Sequence, residues 1–127
     1  KAFSEPEVVS LVRFVRKHNF KSATAYHSSG SILYWHFNQT GAAYTRDKQI
    51  ARQYSNLTGY PLVADNKPGQ GGGGFKDWFV SEFKMTGFTP EIAPYVGERP
   101  VPNSYWPSVW QKNHAAGLML ANDAIKR

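Results

Sequence analysis

The stretch Ala25-Tyr26-His27-Ser28-Ser29-Gly30 closes one short apolar, strand-like run, and Phe88-Thr89-Pro90-Glu91-Ile92 closes another. Each delivers one ionisable residue to a strand end. A histidine and a glutamate placed this way, about sixty residues apart, can converge at one edge of a sheet, where open α/β folds hold their ligands. The pair suits a metal ligand beside a general base. A catalytic zinc site ordinarily takes three protein ligands, and this chain offers no obvious second or third.

Working outward, Ser4-Glu5-Pro6-Glu7 has the pattern of a capping box, and Pro6 is tolerated in a first helical turn. The helix it opens runs to about Lys17, with Val8, Leu11, Val12 and Val15 on one face. Ser22–Tyr26 and Ser31–Phe37 read as strands around Ser28-Ser29-Gly30. Thr45 is the expected cap of a second helix with Ile50, Ala51, Tyr54 and Leu57 inward, stopped by Gly59. Tyr60–Val63 reads as a short strand and Asp65–Gly74 as a Gly- and Pro-rich loop. Phe75–Lys84 reads as a short helix burying Trp78, Phe79 and Phe83. Gly87–Ile92 is a further strand, and Ala93–Tyr105 is irregular. A last helix is expected over about Pro107–Lys126, with Trp110, His114, Leu118 and Ala121 in line. Strands alternating with helices argue for an α/β fold, with a mixed sheet of three or four strands.

Composition narrows the function classes. A chain of 127 residues is one domain or part of one, and 15% aromatic content, with Trp35, Trp78, Trp106 and Trp110, provides for a dense core. The net charge of +6 favours anionic partners. Its basic residues are scattered, with no run longer than Arg16-Lys17 or Lys126-Arg127, so nucleic acid is not the expected partner. With no cysteine, disulfides and Cys-ligated metals are excluded. No apolar run is long enough to span a membrane. There is no recognisable signal peptide, and the chain opens directly into folded-looking sequence, as a processed start or a truncation would.

The residues that could act chemically have competing readings. Taken alone, a strand-end His27 is more often a hydrogen-bonded structural residue than a ligand. His18, His36 and His114 fit ordinary structural places, and no His-Glu-x-x-His occurs. Glu91, between Phe88 and Ile92, needs either a buried ion pair with one of the 15 Lys and Arg or a role as a poised base. Gly71-Gly72-Gly73-Gly74 leads into a helix, an anion-binding arrangement. It lacks the Gly-Lys-Ser/Thr ending of a nucleotide loop, which excludes that reading. A flexible loop and a backbone passing close to a ligand both remain open.

Four segments, Ser4-Glu5-Pro6-Glu7 with its helix, Tyr26-His27-Ser28, Gly73-Gly74-Phe75-Lys76-Asp77-Trp78 and Phe88-Thr89-Pro90-Glu91, together resemble the C-terminal half of the zinc carboxypeptidase family. Their order and spacing match over nearly the whole chain. The wording around Gly74–Trp78 and Phe88–Glu91 is most similar to the bacterial branch that cleaves γ-D-glutamyl-diamino acid bonds in peptidoglycan. The resemblance implies an α/β fold, the C-terminal portion of a mixed sheet with helices packed on it, so that residues 1–127 form the C-terminal part of one catalytic domain. It makes His27 the third Zn2+ ligand, Glu91 the general base, and Ser28 and Lys76 substrate-binding positions. It implies a non-proline cis peptide after Ser28. The other zinc ligands, a His-x-x-Glu pair, and the arginines and asparagine that hold substrate belong to the family's N-terminal half, the partner this chain lacks. The family's mobile tyrosine falls near Gly69, where no tyrosine stands.

Lys76 falls at the base of the family's side-chain pocket. There it either favours a substrate carboxylate or is simply a solvated lysine on a short helix. The expected function is zinc-dependent hydrolysis of a peptide or γ-D-glutamyl amide bond, in peptides of the peptidoglycan stem, with this chain inactive alone. Such a substrate favours the cell envelope or exterior over the cytoplasm. The rival is a non-catalytic basic module that binds anionic wall polymer or nucleic acid through exposed aromatics.

Overall fold

The computed structural model describes residues 3–65, 67 and 69–127. Asn66 and Pro68, inside the expected Asp65–Gly74 loop, lie outside the described residues. In chain order the elements are Pro6–Arg16 (α1), Ser22–Thr24 (β1), His27–Ser29 (β2), Ile32–Tyr34 (β3), Gly41–Thr58 (α2), Phe75–Phe83 (α3), Thr86–Ala93 (β4), Trp106–Asn113 (α4) and Ala116–Ala124 (α5). They form the expected mixed α/β architecture around a 4-stranded sheet.

Strand β4 organises that sheet because all the other strands pair with it. β1 and β2 run parallel to it and β3 antiparallel. Its side chains alternate between faces. Phe88 enters a core with Leu33, Trp35, Ile50, Ala51, Tyr54, Tyr60, Ala116 and Leu120, which seats α2 and α5 on that side. Tyr54 packs on Phe88 with ring centroids 5.1 Å apart. Burial pushes the Tyr54 phenol well above its ordinary range, and its bond to the Tyr26 hydroxyl adds to the shift.

Gly87, Thr89 and Glu91 face the other way, where α3 lies. A Cβ on Gly87 would stand 3.0 Å from Val80 Cγ2 and 3.2 Å from Lys76 Cγ. Only glycine allows α3 to approach the sheet this closely, and that approach puts Lys76 on the same face as Glu91. The Arg16–Glu82 ion pair, at 2.7 Å, ties α1 to α3.

Several boundaries differ from the sequence reading. Helix α1 starts at Pro6 with Glu5 in the N-cap position and no side-chain cap. The Ser4 hydroxyl instead donates to the Glu5 carboxylate at 3.0 Å. On α1, Val12 and Val15 are buried, but Val8 and Leu11 are exposed. The turn after β2 falls at Gly30 and Ser31, both at positive φ, so His27–Ser29 is itself a strand. Helix α2 begins at Gly41, not at Thr45, whose hydroxyl back-bonds to the Gly41 carbonyl at 3.2 Å. Its end at Gly59, in the left-handed region, matches expectation, whereas Leu57 faces solvent. Leu62 makes a single bridge to Leu33.

The last helix is two, broken at His114 and Ala115. Its expected inward residues Trp110, His114, Leu118 and Ala121 are exposed, while Val109, Ala116 and Leu120 are buried. Small Ala116, not the large aromatics, fills the space left by α2. The Ser28–Ser29 peptide is trans, since no cis bond occurs among the described residues. A regular parallel ladder, His27 with Glu91 and Ser29 with Ala93, needs the extended trans backbone.

Candidate functional site

Glu91 is flanked in the sheet by His27 on one side and Ile32 on the other. Partners in register share a face, so His27, Glu91 and Ile32 point the same way, as do Thr89 and its partner Tyr34. His27 Nδ1 stands 3.4 Å from Glu91 Oε1. The second carboxylate oxygen, Oε2, accepts the Ser29 N–H at 3.2 Å. Gly30 turns the chain tightly here: at φ +152 its missing Cβ would fall 3.0 Å from Glu91 Cβ. The Glu91 side chain is only 18% exposed, against 58% for His27. No Lys or Arg reaches Glu91 among the described residues, so the ion-pair reading of its burial does not hold.

This face forms a cavity of about 350 Å³, lined by His27, Glu91, Tyr34, Thr89, Lys76, Asp77, the Trp35–Phe37 loop, Gly71 and Gly74. Lys76 is not a solvated lysine. It is 8% exposed, its Nζ donates to the His36 carbonyl at 2.8 Å, and it pairs with the Asp77 carboxylate. The Phe37 ring lies 5.6 Å from the same ammonium. Asp77 also accepts the Gly72 N–H at 3.0 Å, which ties the glycine loop to the start of α3. An ammonium has three donors, and two have protein acceptors here.

The structure thus brings His27, Glu91 and Lys76 into one pocket. Ser28 is not with them. Strand alternation turns its side chain to a separate hollow beside Ile92, Pro102 and Trp106, so only its backbone lies near the pocket. The sequence reading missed Tyr34, Asp77 and Phe37. For Tyr34 the signal was available, because alternation along Ile32-Leu33-Tyr34 puts it on the face of Ile32. For Asp77 there was none short of the fold.

The model of the zinc carboxypeptidase family matches residues 1–116. This chain belongs to the zinc carboxypeptidase family. It is 29% identical over 119 residues to a gamma-D-glutamyl-L-diamino acid endopeptidase 1 of Lysinibacillus sphaericus, covering 93% of this chain and 28% of that protein. It is 24% identical over 118 residues to the uncharacterized protein YqgT of Bacillus subtilis (strain 168), covering 91% of this chain and 29% of that protein. Among solved structures, thrombin activatable fibrinolysis inhibitor matches with a TM-score of 0.70 at 18% identity, over 98% of this chain and 35% of that one, a likeness of fold. The chain therefore spans under a third of the length of the two relatives.

A zinc carboxypeptidase implies zinc, and the residues here fit it only in part. His27 offers one imidazole nitrogen to the cavity and Glu91 a neighbouring carboxylate. No three His, Cys, Asp or Glu side chains come together for a metal among the described residues.

Proposed function

We propose that this chain is the C-terminal part of a single catalytic domain that hydrolyses a peptide or γ-D-glutamyl amide bond, in peptides of the peptidoglycan stem. In this reading the remaining zinc ligands come from an upstream half. The observation that carries it is the 3.4 Å approach of His27 and Glu91 on one face of the sheet. Family membership and the short span of the relatives support it. His27 holds the metal. Glu91, clamped by the Ser29 N–H, takes a proton from the attacking water and returns it to the leaving amine. Zinc, when bound, supplies Lewis-acid polarisation of the carbonyl. Such a substrate favours action at the cell envelope or outside the cell over the cytoplasm. No helix among the described residues is long and apolar enough to cross a membrane.

The test is metal binding with and without the upstream half. Residues 1–127 alone are expected to bind zinc weakly and to show no peptidase activity. With the upstream half restored, zinc binds at one site, and His27→Ala loses it. Tight stoichiometric zinc on residues 1–127 alone, measured by calorimetry, would overturn the partial-site reading.

Lys76 sets substrate charge in this proposal. Its ammonium is buried, and its third donor is available to a substrate carboxylate. Asp77 already balances its charge, so a second acid at this position would put two carboxylates side by side. Lys76→Gln is the cleaner variant, since the amide still donates to the His36 carbonyl. Losing a charge-assisted contact costs about 1.5–3 kcal/mol, roughly ten- to a hundredfold. The kcat/KM ratio for acidic over neutral substrates should fall by that factor. An unchanged ratio would remove Lys76 from recognition.

A further inference from the structure

We propose that Tyr34 contacts the substrate, its phenolic hydroxyl donating a hydrogen bond to a carbonyl or carboxylate oxygen of the peptide lying against His27 and Glu91. The proposal rests on the peptidase reading above and adds a residue to it. Tyr34 ends β3 opposite Thr89, while Ile32, two residues earlier, sits opposite Glu91. Residues two apart on a strand share a face, so the Tyr34 ring leaves the sheet on the side of His27 and Glu91, and all three line the same cavity.

Three other tyrosines commit their hydroxyls within the fold. Tyr60 donates to the Ile92 carbonyl at 2.7 Å. Tyr54 donates to Tyr26 at 3.3 Å, and Tyr44 to Asp65 at 2.6 Å. Each of those hydroxyls is spent inside the fold. Tyr34, 38% exposed, has no hydrogen-bond partner for its hydroxyl among the described residues. It stands at the wall of a cavity that already holds a carboxylate, an imidazole and a buried ammonium. A peptide seated there brings oxygen acceptors, and the phenol is a neutral donor able to meet one without the desolvation cost of a second cation.

The experiment compares wild type, Tyr34→Phe and Glu91→Gln in the complete enzyme, using a γ-D-glutamyl-L-diamino acid peptide as substrate and recording kcat, KM and melting temperature. Tyr34→Phe should melt with wild type and lose roughly three- to tenfold in kcat/KM, the worth of one neutral hydrogen bond. Tyr34→Phe with unchanged kcat/KM, beside an inactive Glu91→Gln, overturns the Tyr34 proposal and leaves the peptidase reading intact. A lowered melting temperature in Tyr34→Phe also overturns it, by showing the hydroxyl bonded within the fold. If wild type and Glu91→Gln are equally inactive on this and other peptides, the peptidase reading fails, and the Tyr34 proposal falls with it.

Discussion

Glu91→Gln is expected to lower turnover of the complete enzyme by about 10²- to 10⁴-fold, the usual contribution of a positioned general base. The shape of the site should survive the change. The glutamine carbonyl can still accept the Ser29 N–H that now reaches Oε2 at 3.2 Å. The tight approach of Gly30 is to the Glu91 Cβ, which the substitution keeps. What disappears is the ability to take up a proton. His27 remains in place, so zinc content should stay at the wild-type level while kcat collapses. Metal analysis and steady-state kinetics on the same preparation make the comparison. Turnover within a few-fold of wild type would mean that another group accepts the proton, and Glu91 would be a structural partner of His27.

The convergence of His27 and Glu91 was legible from the two apolar runs, but not their places in the strands: His27 opens β2 and Glu91 lies within β4, two residues short of its end. Gly59 was legible because a left-handed helix end is a local demand that glycine meets. Features set by tertiary contact were not. From the residues alone Lys76 looks like any charged residue on a short helix, and only the resemblance put it at a pocket; its burial comes from Gly87 letting α3 settle on the sheet. Trp110 and Leu118 looked inward by size and spacing, yet the break at His114–Ala115 turns the face of Ala116 and Leu120 to the core. Asp47 is the extreme case. Nothing local in Arg46-Asp47-Lys48 marks it as buried, and its partner Thr86 lies 39 residues away in sequence.

Asp47 carries the largest stability prediction. Its carboxylate is completely buried. It accepts from the Thr86 hydroxyl at 2.6 Å, the Arg46 Nε at 2.8 Å and the Gln39 amide at 2.9 Å. Asp47→Ala leaves the buried Thr86 hydroxyl and the half-buried Gln39 amide without this acceptor and Arg46 without its carboxylate, a loss of about 3–5 kcal/mol. Against a total of roughly 5–15 kcal/mol for a domain, that is a large share of the stability, visible as a large drop in the urea midpoint. Asp47→Asn, which keeps one acceptor oxygen, should lose less. The damage also reaches the cavity. The Gln39 amide that Asp47 holds donates to the Trp35 carbonyl at 3.3 Å, and its own carbonyl accepts the Phe37 N–H. The loop clasped this way presents the His36 carbonyl that receives Lys76. In Asp47→Asn the loop should loosen first, so KM for acidic substrates should rise before the fold fails. A loss below about 1 kcal/mol in Asp47→Ala would mean that water reaches the carboxylate and that the loop is held by other contacts.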